Sequence, residues 1–435
     1  MATTQIATFS CDVTCPIGHP CMGGGIPVAQ KIEDPLLARG FVLLGKVDPI
    51  VVVAVDWCEI RNEAFELWRT RLAEAAHTAP TRVLVASIHQ HDAPIADFEA
   101  QRLLEKHRSP GGICQIDFVV SAIDRVAHAV GDALKSAQPV THLGLGQARV
   151  DRVASNRRWI GRDGKPQFGR GSFVSDPQAR EAPEGTIDPF LKTISFWNDK
   201  KPVAALSCYA THPMSVYGRG LVSSDFVGLA RARRQSDNQS PFQMYASGCS
   251  GNVTAGKYND GDPGHRANLI ERLYEGMVAA WNATKPYPLD SIDFRVFPLR
   301  LEPRNSAGFT IDDLEGQLAG ESRRQFGFDH CLAALGLSWR RRAAQKAAID
   351  VPCLDFGAAK IVQLPGESYV EYQLAAQELR RDSLVMALGY GECATGYVPT
   401  EKHFEENDGN LSDWCWVAPG CEKPMRDALQ ATLTE

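Results

Sequence analysis

The sequence predicts an α/β fold, with a mixed sheet, flanking helices and long loops in a single domain spanning residues 1–435. Apolar, β-branched runs alternate along the chain with stretches of helical periodicity, and this alternation is typical of α/β folds. Hydrophobic residues make up 44% of the chain, which is enough for a large buried core. The sequence contains no internal repeat, and its composition does not shift in a way that would indicate a domain boundary.

A strand–helix–strand unit near the N-terminus carries the clearest pattern. Ile50–Val55 and Arg82–Ile88 are predicted as buried strands, and Glu59–Ala76 between them has helical periodicity. Such a crossover places its two strands in parallel. The remaining predictions are strands at Phe41–Leu44, Ala204–Tyr209, Ala358–Leu364 and Leu384–Leu388, helices at Phe118–Ala133 and Arg266–Trp281, a mostly helical segment 305–350, functional loops at 151–185 and a loop-like tail after residue 400.

Charge and composition exclude several classes of partner. Acidic residues outnumber basic ones by 52 to 46, so the chain has no electrostatic attraction to nucleic acid. The longest apolar run, Pro49–Trp57, is too short for a transmembrane segment. The N-terminus lacks the basic start and apolar stretch of a signal peptide, which predicts a cytoplasmic location.

Twelve cysteines are dispersed through the chain, and we predict that most are reduced core residues. Cys11, Cys15 and Cys21 lie close together in sequence but lack a Cys-x-x-Cys pair, so neither a metal site nor an obligatory disulfide is expected there.

Two of the predicted strands are each followed by histidine. His89 and His91 close the strand Arg82–Ile88, and residues at positions i and i+2 point to one face. His212 follows the strand Ala204–Tyr209. Ligands and catalytic groups collect at strand ends in α/β sheets, and neutral imidazole is a common zinc ligand. The alternative is that these are hydrogen-bonded structural histidines.

A carboxylate follows a third strand. Pro365 and Gly366 end that strand and expose Glu367, whose oxygen, together with two imidazoles, suits a catalytic zinc with an open position. A solvated glutamate in a turn is the alternative. Two glycine-rich segments, 246–256 and 14–25, are predicted either to line the site or to form ordinary turns.

These pieces, in this order, resemble the catalytic domain of the neutral (alkaline, non-lysosomal) ceramidase family. The resemblance covers residues 11 to 400, nearly the whole chain. The matching segments are Asp12-Val13-Thr14, Ala38-Arg39-Gly40-Phe41, His89-Gln90-His91, Asn156-Arg157, Ala210-Thr211-His212-Pro213, Gly251-Asn252-Val253-Thr254, Pro365-Gly366-Glu367 and Gly396-Tyr397-Val398-Pro399-Thr400.

The resemblance implies Zn²⁺ as cofactor and hydrolysis of an N-acyl amide by metal-activated water. The implied substrate is a lipid amide such as ceramide (N-acylsphingosine), which would place the protein in lipid metabolism. The implied zinc ligands are His89, His212, Glu367 and Tyr397. The implied catalytic residues are His91 and Arg157, which assist the reacting carbonyl, and Thr254, which occupies the position of a family hydroxyl that is usually serine.

The chain also departs from the family pattern. Gly409 and Asn410 lie where the family has a second tyrosine, and the family's C-terminal immunoglobulin-like domain is not expected within these 435 residues. Two alternatives therefore stay open. One is a hydrolase of a soluble small amide or ester, and the other is a non-catalytic protein that binds a metal or carbohydrate at the same site.

Overall fold

The computed structural model describes residues 4–434. Its larger strands form three mixed sheets, whereas the sequence predicted one, because hydrophobic runs predict strands without predicting their partners. None of the helices within residues 4–434 is sufficiently long and apolar to cross a membrane.

The first sheet contains the predicted strand–helix–strand unit. Ile50–Val55 pairs in parallel with Val83–Ser87, and the helix Asn62–Ala76 connects them, so this prediction is confirmed. Antiparallel strands extend the sheet on one side, in the order Leu37–Leu44, Gln5–Asp12 and Gln138–Pro139.

The second and third sheets each contain one parallel pair as well. In the second sheet the order is Phe242–Ser247, Lys201–Tyr209, Phe190–Asn198, His142–Arg149 and Lys285–Pro288, with the first two strands parallel. In the third sheet the order is Asp293–Leu299, Ile349–Asp355, Ala359–Gln363 and Leu384–Leu388, with the last two strands parallel.

Helices cover the sheets and pack their apolar faces into two large hydrophobic clusters. The longer helices are Asn62–Ala76, Phe98–His107, Ile116–Leu134, Asp225–Ser236, Pro263–Asn282, Ile311–Ala319, Phe328–Ala344, Val370–Leu379 and Glu422–Thr434. The loop prediction for the tail was wrong at its end. In Glu422–Thr434, Met425, Leu429 and Leu433 are buried at helical spacing, so tertiary packing stabilises a helix there.

The carboxyl ends of the three parallel pairs meet at one place. The backbone N–H of Ser87, at the end of a first-sheet strand, donates to the carbonyl of Tyr390 beyond the third sheet at 3.0 Å. Gly389 N–H in turn donates to the carbonyl of Ser247, which ends a strand of the second sheet, at 3.0 Å. Residues that follow these strands are therefore held close together, although hundreds of positions separate them in sequence.

Candidate metal centre

Two histidines that follow strands of different sheets face one carboxylate. His89 Nε2 lies 3.1 Å from Glu367 Oε2, and His212 Nε2 lies 2.9 Å from the same oxygen. All three side chains are buried, with exposed fractions of 0–2%. The structure thus brings together His89, His212 and Glu367, which sequence reasoning selected as ligands.

Backbone carbonyls define the tautomer of both imidazoles. His89 Nδ1 lies 2.9 Å from the carbonyl of Cys58, and His212 Nδ1 lies 2.5 Å from that of Ser250. Because a carbonyl oxygen can only accept, each Nδ1 must donate, and each neutral ring then presents the lone pair of Nε2 to Glu367. Outer partners of this kind orient histidines that bind metals.

Nε2 of His89, Nε2 of His212 and the Glu367 carboxylate therefore face one another as three lone-pair donors. The ring protons that could form hydrogen bonds between them lie on the Nδ1 atoms instead. The ligand atoms of His89, His212 and Glu367 lie within 4.8 Å of one another, and His89 Nε2 has no hydrogen bond of acceptable geometry despite its burial. A divalent cation would satisfy all three at once, because two neutral imidazoles and one carboxylate are a standard zinc ligand set. The residues present thus fit a bound divalent cation.

The pKa shifts of the three side chains differ in direction. Burial lowers the pKa of His212 to about 4, so this ring is neutral at pH 7. Burial also opposes charge on His89, but the Glu367 carboxylate outweighs it and raises the pKa of His89 above its ordinary value. Burial alone would raise the pKa of Glu367, yet the two imidazoles hold it below its ordinary value.

The turn that carries Glu367 packs directly against the glycine-rich segment 246–256. A Cβ on Gly251 would lie 2.1 Å from the carbonyl oxygen of Glu367, so only glycine allows this approach. The same segment supplies Ser250, whose carbonyl accepts from His212, and Asn252, whose carbonyl accepts from the Arg157 N–H at 2.7 Å. Its role in the structure is thus to position groups of the site.

Tyr397 lies beside Glu367 because the two residues are direct partners in a short parallel ladder. Arg157 Nη1 donates to the Tyr397 hydroxyl at 2.5 Å, and Arg157 Nε is buried without a partner. Although burial opposes its charge, Tyr397 and Glu367 raise the pKa of Arg157, which stays cationic. Burial raises the pKa of Tyr397, which is a neutral phenol in the absence of a cation.

The His91 ring lies against that of His89, and its two nitrogens make no hydrogen bond. Its ring is nearly perpendicular to that of His89, with centroids 5.1 Å apart, and both its nitrogens are shielded from solvent without a partner. Burial first, and then repulsion from His89 and His212, lower the pKa of His91 well below its ordinary value. The ring is therefore neutral, and one of its nitrogens has a lone pair that no hydrogen bond uses.

Thr254 occupies a different position from the other predicted site residues. Its hydroxyl donates to the carbonyl of Gly171 at 2.9 Å and accepts from the N–H of Gly256 at 3.0 Å. Unlike Arg157 and His91, Thr254 does not line the cavity in front of the histidines, whereas Gly171 does. A catalytic role for Thr254 stays a prediction, and its visible contacts support the cavity wall.

A cavity of about 370 Å³ opens onto the metal centre. Of the segment 14–25, Met22 lines it. Sequence reasoning missed several lining residues, because each contributes a single side chain without a local pattern: Cys58, Tyr217, Phe328, Asn410, Asp413 and Trp414.

Sequence reasoning also missed Tyr390, whose ring stacks on that of His89 with 4.3 Å between the ring centroids. Tyr390 and His89 both have a positive φ, of 57° and 72°. Residues other than glycine seldom adopt this conformation, and those that do are concentrated at functional sites.

The cysteines lie mostly in the interior of the fold. All twelve thiols are unpaired and eleven of them are buried. Cys11, Cys15 and Cys21 do not form a metal-ligating group within residues 4–434.

Comparison with known proteins gives a match in structure only. No family model matches the sequence, and no curated protein does. The structure is similar to that of neutral ceramidase from Pseudomonas aeruginosa, with a TM-score of 0.71 and 16% identity over 100% of this chain and 74% of that one. It is also similar to a ceramidase complexed with C2, with a TM-score of 0.68 and 17% identity over 99% of this chain and 74% of that one. The fold of this chain is therefore that of the neutral ceramidases.

Proposed function

We propose that this chain is a zinc-dependent hydrolase that cleaves the amide bond of an N-acyl compound, as a ceramidase does. One observation carries the proposal: His89, His212 and Glu367 present their ligand atoms within 4.8 Å of one another, while each Nδ1 is bonded to a backbone carbonyl. Such a geometry leaves the imidazoles ready to bind a cation. The single-domain organisation over residues 1–435 is part of this proposal.

In this proposal His89, His212 and Glu367 hold the zinc, and Tyr397 is the fourth ligand. Tyr397 is suited to that role because its ladder with Glu367 places it at the cavity wall. When bound there, zinc supplies Lewis-acid activation of a water molecule and of an amide carbonyl.

The residues around the ligands supply the proton transfers. His91 accepts a proton from water as its oxygen adds to the carbonyl carbon, then gives that proton to the amine nitrogen as the C–N bond breaks. The products are a carboxylic acid and an amine. Arg157 faces the same cavity and offers a cationic donor to the negative charge that develops on the carbonyl oxygen.

The resemblance of the fold to ceramidases favours a lipid amide, such as ceramide, as the substrate class. The cavity lining favours a second candidate, a small polar amide or ester. The cavity is lined by the polar residues Asn410, Ser412 and Asp413 as well as by the apolar side chains of Met22 and Phe328. A substrate with both an apolar and a polar part would match this mixed lining.

An activity screen tests the proposal. The apoprotein, loaded with one equivalent of Zn²⁺, is offered N-acyl amides of increasing chain length, with polar or apolar amines, and the released amine is measured. We expect turnover that a chelator abolishes and added Zn²⁺ restores. His212→Ala should lose both zinc and turnover, whereas His128→Ala, whose side chain is 82% exposed, should retain both.

The proposal is wrong if zinc does not bind to the wild-type protein. It is also wrong if zinc binds but no amide or ester in the set is hydrolysed. In that case the non-catalytic alternative would be favoured.

A further inference from the structure

One loop forms part of the wall of the cavity in front of the metal centre. This loop, residues 213–220, begins directly after His212, and its residues Met214 and Tyr217 line the cavity. The Tyr217 ring lies edge-on to the ring of His91, with 5.3 Å between their centroids. The loop therefore brings an aromatic hydroxyl to the cavity beside the residue that we propose as the proton carrier.

A buried carboxylate holds the tip of the loop. Asp92, the residue after His91, is only 4% exposed. It accepts hydrogen bonds at 2.9, 2.9 and 3.3 Å from three backbone N–H groups, those of Gly218, Arg219 and Leu221. The first two of these groups directly follow Tyr217 in the chain. The place of Tyr217 is thus tied to the segment that carries His91.

The base of the loop is fixed as well. The buried carboxylate of Asp225 accepts from the backbone N–H of Ser215 at 3.0 Å and from the Ser215 hydroxyl. Gly220 has a φ of 65°, and a Cβ there would lie 2.4 Å from the carbonyl oxygen of Val28. Because both ends are held, the loop presents Tyr217 in a preorganised position, which is what a group that acts on a substrate requires.

The Tyr217 hydroxyl is available to a substrate. The residue is 37% exposed, and no group within residues 4–434 forms a hydrogen bond with its hydroxyl. Burial raises the pKa of Tyr217, so the side chain is a neutral phenol and can donate its proton in a hydrogen bond. The charge of Arg157 lowers this pKa and that of Asp413 raises it, which agrees with a hydroxyl that shares the cavity with both.

We propose that Tyr217 is a further catalytic residue, whose hydroxyl donates a hydrogen bond to the carbonyl oxygen of the substrate amide, and that Asp92 is its positioning residue. The proposal rests on the proposed function, because the amide is the substrate of that reaction. As water adds to the carbonyl carbon, negative charge grows on the oxygen and strengthens a bond from a fixed donor. The phenol keeps its proton throughout, and no covalent bond to Tyr217 forms.

Tyr217→Phe tests the hydroxyl, because it removes one oxygen and keeps the ring that contacts His91. Loss of such a donor typically lowers the rate about 10²–10³-fold, and we expect kcat/KM on the best amide to fall by that factor. Zinc content and the free energy of unfolding should stay at the wild-type values, since no hydrogen bond within the protein is lost. Tyr287→Phe is the matched control, because Tyr287 is 38% exposed and does not line the cavity.

A second measurement tests the same hydroxyl without turnover. Methylphosphonate is a tetrahedral anion, and its binding to the protein loaded with one equivalent of Zn²⁺ is measured by calorimetry. Because hydrogen bonds to charged groups contribute more than neutral ones, Tyr217→Phe should weaken this binding about 10–100-fold. Tyr287→Phe should bind methylphosphonate as the wild type does.

Asp92→Asn tests the positioning role. The new NH₂ group can only donate, so part of the set of loop N–H groups loses its acceptor. Hydrogen exchange of the amides in residues 213–222 should become faster, and kcat/KM should fall. Combined with Tyr217→Phe, the loss in kcat/KM should be clearly smaller than the product of the two single losses, because both changes act through one hydroxyl.

Several results would overturn these roles. A kcat/KM for Tyr217→Phe within about threefold of wild type would contradict the catalytic role, and so would an unchanged affinity for methylphosphonate or no binding of it by the wild type. Losses that multiply in the double variant would contradict the positioning role of Asp92. Turnover that does not depend on Tyr217 contradicts this inference alone. Methylphosphonate binding that depends on Tyr217 in a protein without amide turnover contradicts the proposed function instead.

Discussion

Replacing His91 with alanine separates catalysis from metal binding. In the proposed reaction His91 moves the proton, while His89, His212 and Glu367 hold the cation. His91→Ala should therefore lower kcat about 10²–10⁴-fold, which corresponds to a barrier increase of about 3–5 kcal/mol. The zinc content with one equivalent added should stay at the wild-type value.

The contacts of the His91 ring determine how much His91→Ala should lower the free energy of unfolding. Both nitrogens of His91 lack partners, so removal of the ring breaks no hydrogen bond. The ring does make edge contacts with His89, Tyr217 and His212, whose centroids lie 5.1 Å, 5.3 Å and 5.8 Å away. Aromatic pairs contribute about 0.5–1.5 kcal/mol each, so the loss of three pairs should lower the free energy of unfolding by about 1.5–4.5 kcal/mol.

Three measurements on one preparation test this reasoning: steady-state kinetics on the best amide, zinc content, and denaturant unfolding. Loss of zinc in His91→Ala would show that His91 is a zinc ligand. Tyr397 would then no longer be proposed as the fourth ligand. A rate within about tenfold of wild type would refute the proton-transfer role.

Three further predictions concern residues around the centre and far from it. Thr254→Val should destabilise the protein by about 1–3 kcal/mol in denaturant unfolding, because the buried Gly256 N–H loses its acceptor and the exposed Gly171 carbonyl loses its donor, with Thr254→Ser close to wild type; a large fall in kcat without loss of stability would instead indicate a catalytic hydroxyl. Gly251→Ala should weaken zinc binding about 10–100-fold in a competition titration, since its Cβ would displace the turn of Glu367; unchanged affinity would contradict this coupling. Burial lowers the pKa of His19 to about 4, so the unfolded state binds more protons between pH 6.5 and 4 and stability must fall as pH falls through that range. The loss is about 3 kcal/mol, and it should be absent in His19→Asn but present in the exposed-site control His128→Asn; equal pH profiles in all three proteins would refute it.

The strands illustrate how much of the fold could be predicted. Ile50–Val55 and Val83–Ser87 were predicted to within a residue or two, since a run of buried β-branched residues is a local property. The division into three sheets was not predictable, because pairing depends on contacts between distant segments. The final helix Glu422–Thr434 was missed for a related reason: much of its stability comes from packing an apolar face that the tail alone does not reveal.

At the site, the order of residues was enough to identify the chemical groups that follow the strands: imidazole at His89 and His212, and carboxylate at Glu367. Residue type and its position after an apolar run are local facts, and they sufficed to select the three side chains that converge. Tertiary structure alone decided which nitrogen of each ring faces the carboxylate, since the carbonyls of Cys58 and Ser250 determine the tautomer.

Tertiary structure also decided the surroundings of that centre. It turned the Thr254 hydroxyl toward Gly171 and brought Cys58 into the cavity beside His91. Neither contact has a signature in the sequence, because each joins single side chains that lie 83 and 33 positions from their partners. Local sequence patterns indicate the chemical type of a residue and the secondary structure around it. The contacts that its side chain makes depend on packing between segments that are distant in sequence.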